Sequence, residues 1–113
     1  MTVELFAGIA VRDFAGALAW YERLFGSPPT FVVHDTEVLW EVTPHGSVYV
    51  VLRPERAGQA MHTLFVEDLD ERVAGISARG IEPADRETYG NGVRKIIYRD
   101  PEGNELGIGG GPA

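Results

Sequence analysis

The side chains best suited to hold a metal ion or to move a proton near neutral pH are three histidines, His34, His45 and His62. They are scattered along the chain, and three scattered histidines do not make a metal site. No cysteine is present, which excludes a disulfide, a thiol nucleophile and a thiolate metal site. Acidic residues outnumber basic ones 17 to 10, for a formal net charge of −7. Such a surface repels phosphate backbones, so nucleic acid is excluded as a general partner. No apolar run approaches the roughly 20 residues that span a bilayer. The opening segment MTVELFAGIAVRD lacks the basic start and cleavage site of a secretory signal. No membrane association and a cytoplasmic location are expected.

The elements that must position any site follow an internal repeat. Val11-Arg12-Asp13 is echoed by Val66-Glu67-Asp68, Phe6 by Met61 and Pro28 by Pro83, all at an offset of 55 residues (68 − 13 = 55). Each Val-x-Asp ends an apolar run of strand type and begins a helix. Asp13 and Asp68 are placed to cap those helices, and Glu71 adds the second half of a capping box to Asp68. Gly26 and Gly80 suit the left-handed position that stops each helix. Between these limits Phe14, Ala17, Leu18, Tyr21, Leu24 and Phe25 form one apolar stripe at helical spacing. The second helix has a thinner stripe of Leu69, Val73, Ile76 and Ala78.

Three short strands follow each helix. In the first half they run from Thr30 to His34, Glu37 to Val42 and Ser47 to Arg53; in the second from Glu82 to Thr88, Val93 to Arg99 and Asn104 to Gly109. Turn-forming clusters such as Tyr89-Gly90-Asn91-Gly92 and Asp100-Pro101-Glu102-Gly103 separate them. The order is β-α-β-β-β, twice, an α+β pattern. The expected organisation is a single domain over residues 1–113, with module 1 at about 1–53, a linker at 54–60 and module 2 at about 61–109. An apolar content of 44% in 113 residues is enough for one shared core.

Two such modules resemble the vicinal-oxygen-chelate superfamily, which holds glyoxalases, extradiol dioxygenases, fosfomycin-resistance enzymes and bleomycin-resistance proteins. The resemblance lies in IAVRDFAGALAWYERLFG, LFVEDLDERVAGISARGIEP and IIYRDPEGNELGI, taken in order. Asp-Pro-x-Gly-Asn turning into the last strand is its most specific part. The resemblance implies a curved, cup-shaped mixed sheet built from both modules, with the helices outside. It also implies where metal ligands would stand: Phe6, Met61, Gly107 and, on the fourth strand, Val51. None of these carries a donor for a hard or borderline ion. Neither a metal nor another cofactor is therefore expected. His62, one residue from such a position, faces the other side of its strand.

Projected from those positions, the inner face of the cup holds Phe6, Gly8 and Ala10, then Tyr49, Val51 and Arg53. The second module adds Met61, Thr63 and Phe65, with Lys95, Ile97 and Arg99, and Glu105, Gly107 and Gly109. The glycines and Ala10 are expected to leave volume. His34 ends a strand at the rim. Trp40 either stacks on a ligand or plugs the core, since the parity of its strand is open. The candidate ligand-binding set is Phe6, His34, Trp40, Tyr49, Arg53, Met61, Thr63, Lys95, Ile97 and Glu105. Aromatic and cationic groups together suit a small planar or aromatic ligand with an acidic edge. The expected function is metal-independent capture of an antibiotic or metabolite by a homodimer, as in the bleomycin-resistance branch. The alternative is a metal-independent lyase or isomerase using Glu105, Lys95, Tyr49 or His34 as acid–base groups. A metal-dependent glyoxalase-type enzyme is disfavoured by the missing ligands.

Overall fold

The alternating apolar pattern of each half folds into a sheet covered on one side by a helix. The structure, a computed structural model, describes residues 2–113. Its elements are β1 (Leu5–Val11), α1 (Phe14–Phe25), β2 (Phe31–His34), β3 (Glu37–Thr43) and β4 (Gly46–Leu52). A 3₁₀ turn (Pro54–Arg56) leads to β5 (Met61–Phe65), α2 (Leu69–Ala78), β6 (Asp85–Thr88), β7 (Arg94–Arg99) and β8 (Glu105–Gly110). The sheets have the orders β1-β4-β3-β2 and β5-β8-β7-β6. In each, the first strand pairs with the last in parallel and the other pairings are antiparallel.

The cup-shaped sheet expected from the resemblance is not formed. The strands make two separate four-stranded sheets, open rather than curled or closed, and β1 and β5 remain edges of their own sheets. Each hydrogen-bond ladder is completed within its module, so strand alternation alone never required the two to merge. A side chain joins them instead: His62 Nε2 donates to the Gly8 carbonyl at 2.8 Å.

In the first module Ile9, Val11, Val38, Trp40, Val48 and Val50 point to α1 and are sealed by Ala17, Trp20, Tyr21 and Leu24. In the second, Ile96, Tyr98, Leu106 and Ile108 meet only Leu69 and Ile76 as buried residues of α2. Asp13 caps α1, its Oδ1 accepting from the Gly16 N–H at 3.0 Å. Asp68 departs from expectation. It stands at the N-cap of α2 without making the side-chain cap, because its Oδ1 accepts from Arg72 Nε at 2.7 Å. Gly26 and Gly80 both take the left-handed backbone, at φ 78° and 91°. β6 begins at Asp85 rather than Glu82, since Pro83 has no N–H; the ladder opens with Ala84 N–H on the Ile97 carbonyl at 2.7 Å.

The Asp-Pro-x-Gly-Asn turn clasps the modules together. Asn104, fully buried, donates to the Ala10 carbonyl at 3.0 Å and to Asp100 Oδ2 at 2.9 Å, while its Oδ1 accepts from Ala60 N–H at 2.9 Å. Tyr21 of α1 donates to the same Asp100 Oδ2 at 2.8 Å. Burial, reinforced by the Asp100 charge, pushes the Tyr21 phenol far above its ordinary range. The Glu102 carboxylate accepts from the N–H groups of Arg12 and Asp13, at the mouth of α1.

Candidate functional site

The face of each sheet turned away from its helix is uncovered. On the first, Phe6, Gly8 and Ala10 of β1 lie beside Ser47, Tyr49 and Val51 of β4. The Tyr49 ring lies across Gly8: a Cβ there would come within 2.6 Å of both its Cζ and its hydroxyl. The space a larger residue would take is thus filled by a flat aromatic surface. This shelf floors a cleft of about 490 Å³ bordered by Ala10, Val51, Arg53, Arg56, Gln59 and Ala60. A second recess, of about 400 Å³, opens at the other end of the sheet between Phe6, Phe31, Leu39 and Ser47.

The corresponding face of the second sheet has different chemistry. Lys95 runs over Gly107, where a Cβ would meet its Cε at 2.6 Å and Thr63 Oγ1 at 3.1 Å. Glu105 accepts from Arg99 Nη1 at 3.0 Å and lies 3.9 Å from Lys95 Nζ. Its side chain is only 12% exposed, so the two cations compensate a carboxylate largely withdrawn from water. Ile97, paired with Gly107 across the strands, is buried.

Of the residues singled out from sequence, Tyr49 and Arg53 share one cleft, and Lys95, Glu105 and Thr63 share the other face. Phe6 lies in the separate recess, 56% exposed, and Met61 on the edge of β5 is 71% exposed. His34 is drawn into local contacts, with its Nε2 3.3 Å from Glu37 and its Nδ1 accepting from the Thr36 N–H. Trp40 belongs to the core: it is 2% exposed, lies 5.2 Å from the Phe25 ring centre, and donates its indole N–H to the Ser27 carbonyl at 3.0 Å. Arg56 and Gln59 were not among the sequence candidates. The available signal was Arg53-Pro54-Glu55-Arg56, in which a proline opens a tight turn that carries an arginine at each end.

Strand register revises one inferred ligand position. Gly8 faces Tyr49 in β1–β4 as Thr63 faces Gly107 in β5–β8, and Gly8 and Thr63 are repeat equivalents. Tyr49, rather than Val51, is therefore the counterpart of Gly107. Among the described residues no group of three or more His, Cys, Asp or Glu side chains is arranged to hold a metal ion. No described helix is long and apolar enough to cross a membrane.

Two helix-backed βαβββ modules presenting uncovered sheet faces without a metal-donor set define a two-module α+β protein with the chemistry of a ligand-binding surface. The chain matches the Glyoxalase/Bleomycin resistance protein/Dioxygenase superfamily over residues 5–108, and it belongs to that family. A crystal structure of a glyoxalase/bleomycin resistance protein from Catenulispora acidiphila DSM 44928 is 53% identical, with a TM-score of 0.95 over 98% of this chain and 100% of that one. A bleomycin-binding protein complexed with bleomycin shares the fold at 20% identity and TM-score 0.74, over 97% and 98% of the two chains. So does TnmS3, an antibiotic binding protein from Streptomyces sp. CB03234, at 23% identity and TM-score 0.72, over 100% and 97%. No curated protein matches the chain.

Proposed function

We propose that this protein binds a small planar or aromatic molecule, an antibiotic or a metabolite, without a metal ion. The observation that carries this reading is the Tyr49 ring laid on Gly8 at the floor of an arginine-bordered cleft. A half-buried aromatic shelf with a few polar groups at its edge is what a flat ligand needs for orientation. The 53% identical relative is named for glyoxalase and bleomycin resistance, and two fold neighbours bind bleomycin or an antibiotic. The binding unit is a homodimer. Phe6, Phe31, Met61 and Phe65 are each more than half exposed, more apolar surface than a small monomer ordinarily leaves to water.

The test is a calorimetric titration with planar aromatic compounds and glycopeptide-type antibiotics, using wild type and Tyr49→Ala. Saturable binding to wild type, weakened by roughly threefold to tenfold in the variant, is expected from the loss of stacking. Absence of binding across the set overturns the reading. Sedimentation equilibrium at micromolar concentration is expected to give twice the chain mass, and a clean monomer removes the dimer.

A further inference from the structure

Arg53 immediately precedes the 3₁₀ turn, and the Arg56 N–H donates to its carbonyl at 3.0 Å. Arg53 stands just outside the turn on extended backbone, at φ −147°, Arg56 is its last residue, and both arginines border the Tyr49 cleft. Neither forms an ion pair among the described residues, although the chain has 17 acidic residues. Glu55 borders the same cleft yet pairs with neither, leaving the cleft with one net positive charge on a protein of net −7. Lys95 and Arg99, the other cations on the open faces, are turned onto Glu105.

The segment carrying the two arginines is held in place by the clasp. Ala57 is buried, and Gly58 lies so close to the Glu102 carbonyl that a Cβ would come within 2.7 Å of it. Ala60 N–H is fixed on Asn104. Two like charges bordering one cleft repel, and an anion seated between them converts repulsion into attraction. Little backbone ordering remains to be done when it binds.

We propose that Arg53 and Arg56 form an oxyanion subsite, so that the molecule lying on Tyr49 carries a carboxylate-type group at its end nearest the 54–60 segment, with the Gln59 amide as a further donor. This rests on the reading of the Tyr49 cleft as the binding site. The test uses three probes of one shape and different charge: 2-naphthoate, 2-naphthalenemethanol and 2-naphthylmethylammonium. They are titrated by ligand-observed NMR at two salt concentrations against wild type, Arg53→Gln and Arg56→Gln.

Naphthoate is expected to bind about tenfold more tightly than the alcohol, a modest ratio because both guanidiniums are solvent-accessible. Each substitution lowers that ratio severalfold and flattens its salt dependence, while binding of the alcohol falls much less than that of naphthoate. If the alcohol binds as well as naphthoate, if the ammonium binds best, or if neither substitution moves the ratio, the anion subsite is overturned and the aromatic cleft survives. If none of the probes binds, both fall.

Discussion

The two modules repeat the same helix-facing chemistry and differ on the face that the helix leaves open. β4 and β8 both send branched aliphatic side chains inward, Val48 and Val50 in one and Leu106 and Ile108 in the other. Outward, the first module lays an aromatic ring over its glycine and the second a lysine stem. Among the described residues the first leaves Arg53 and Arg56, at the turn that follows β4, without an ion pair; the second closes Lys95 and Arg99 onto Glu105. Core packing constrains one face of a strand and leaves the other free to diverge. On the proposed reading the first module offers its open-face groups to a ligand, whereas the second turns Lys95 and Arg99 onto Glu105.

The unlike faces belong to one folding unit through the Asn104 clasp, and Asn104→Ala is the strongest way to break it. The substitution strands the Ala10 carbonyl, the Ala60 N–H and one contact of Asp100. At about 1–3 kcal/mol for each buried group left unpaired, less what water recovers, a loss of about 2–5 kcal/mol is expected in urea unfolding. A loss below about 1 kcal/mol, or two separate transitions, would show that the modules fold independently.

The glycines under the two shelves sharpen the contrast. Gly8→Ala drives a Cβ into the Tyr49 ring, which must swing off the sheet; about 1–3 kcal/mol of stability and most aromatic binding are expected to go with it. Gly107→Ala meets mainly the flexible stem of Lys95, which can lift at small cost. Thermal unfolding and probe titration of the pair should separate them. Equal effects would mean that the Tyr49 shelf has no special role.

These differences were unevenly legible in the sequence. The helices, their glycine stops and the β-α-β-β-β order were visible because periodicity and turn residues are local. Trp40 was not, since Leu39 and Trp40 are adjacent, both apolar and both buried, so alternation cannot say which faces the helix. The small residues at 8 and 107 suggest spare volume by their size alone, but what fills that volume comes from a paired strand. Arg56 sits in a connection with no period, and it reaches the cleft only because Asn104 and Glu102, far along the chain, fix the segment around it. The open arrangement of the two sheets was hidden for the same reason.

Alkaline titration probes the helix-facing side, where the repeat pairs Tyr21 with Ile76 (21 + 55 = 76). Burial, then the Asp100 charge, raises the folded pKa of Tyr21 far above the unfolded value near 10. The neutral phenol is favoured in the fold. Its contribution is therefore complete below about pH 10 and is lost as pH rises beyond it, at up to about 1.4 kcal/mol per pH unit. Tyr21→Phe should remove most of that slope in unfolding measured between about pH 9 and 11. An unchanged slope would place the alkaline weakness elsewhere, with Tyr98 the next candidate because burial raises its phenol too.

The smallest expected effect separates the two aspartates that the repeat makes equivalent. Asp13 accepts from a free N–H of the first turn of α1, so Asp13→Ala should cost about 0.5–2 kcal/mol, the usual loss of a cap. Asp68 makes no such bond. Its exposed carboxylate is held below the usual range by the hydrogen bond from Arg72, one turn along the helix. A depressed folded pKa means stability present above the unfolded value near 4 and lost as pH falls through the folded one. Because water and salt screen an exposed pair, Asp68→Ala should change stability less than Asp13→Ala at neutral pH, and less again in high salt. Urea midpoints of both variants at low and high salt decide the matter. If Asp68→Ala proves the costlier, its carboxylate caps α2 after all, and the helix-facing halves of the two modules are more alike than their side-chain hydrogen bonds indicate.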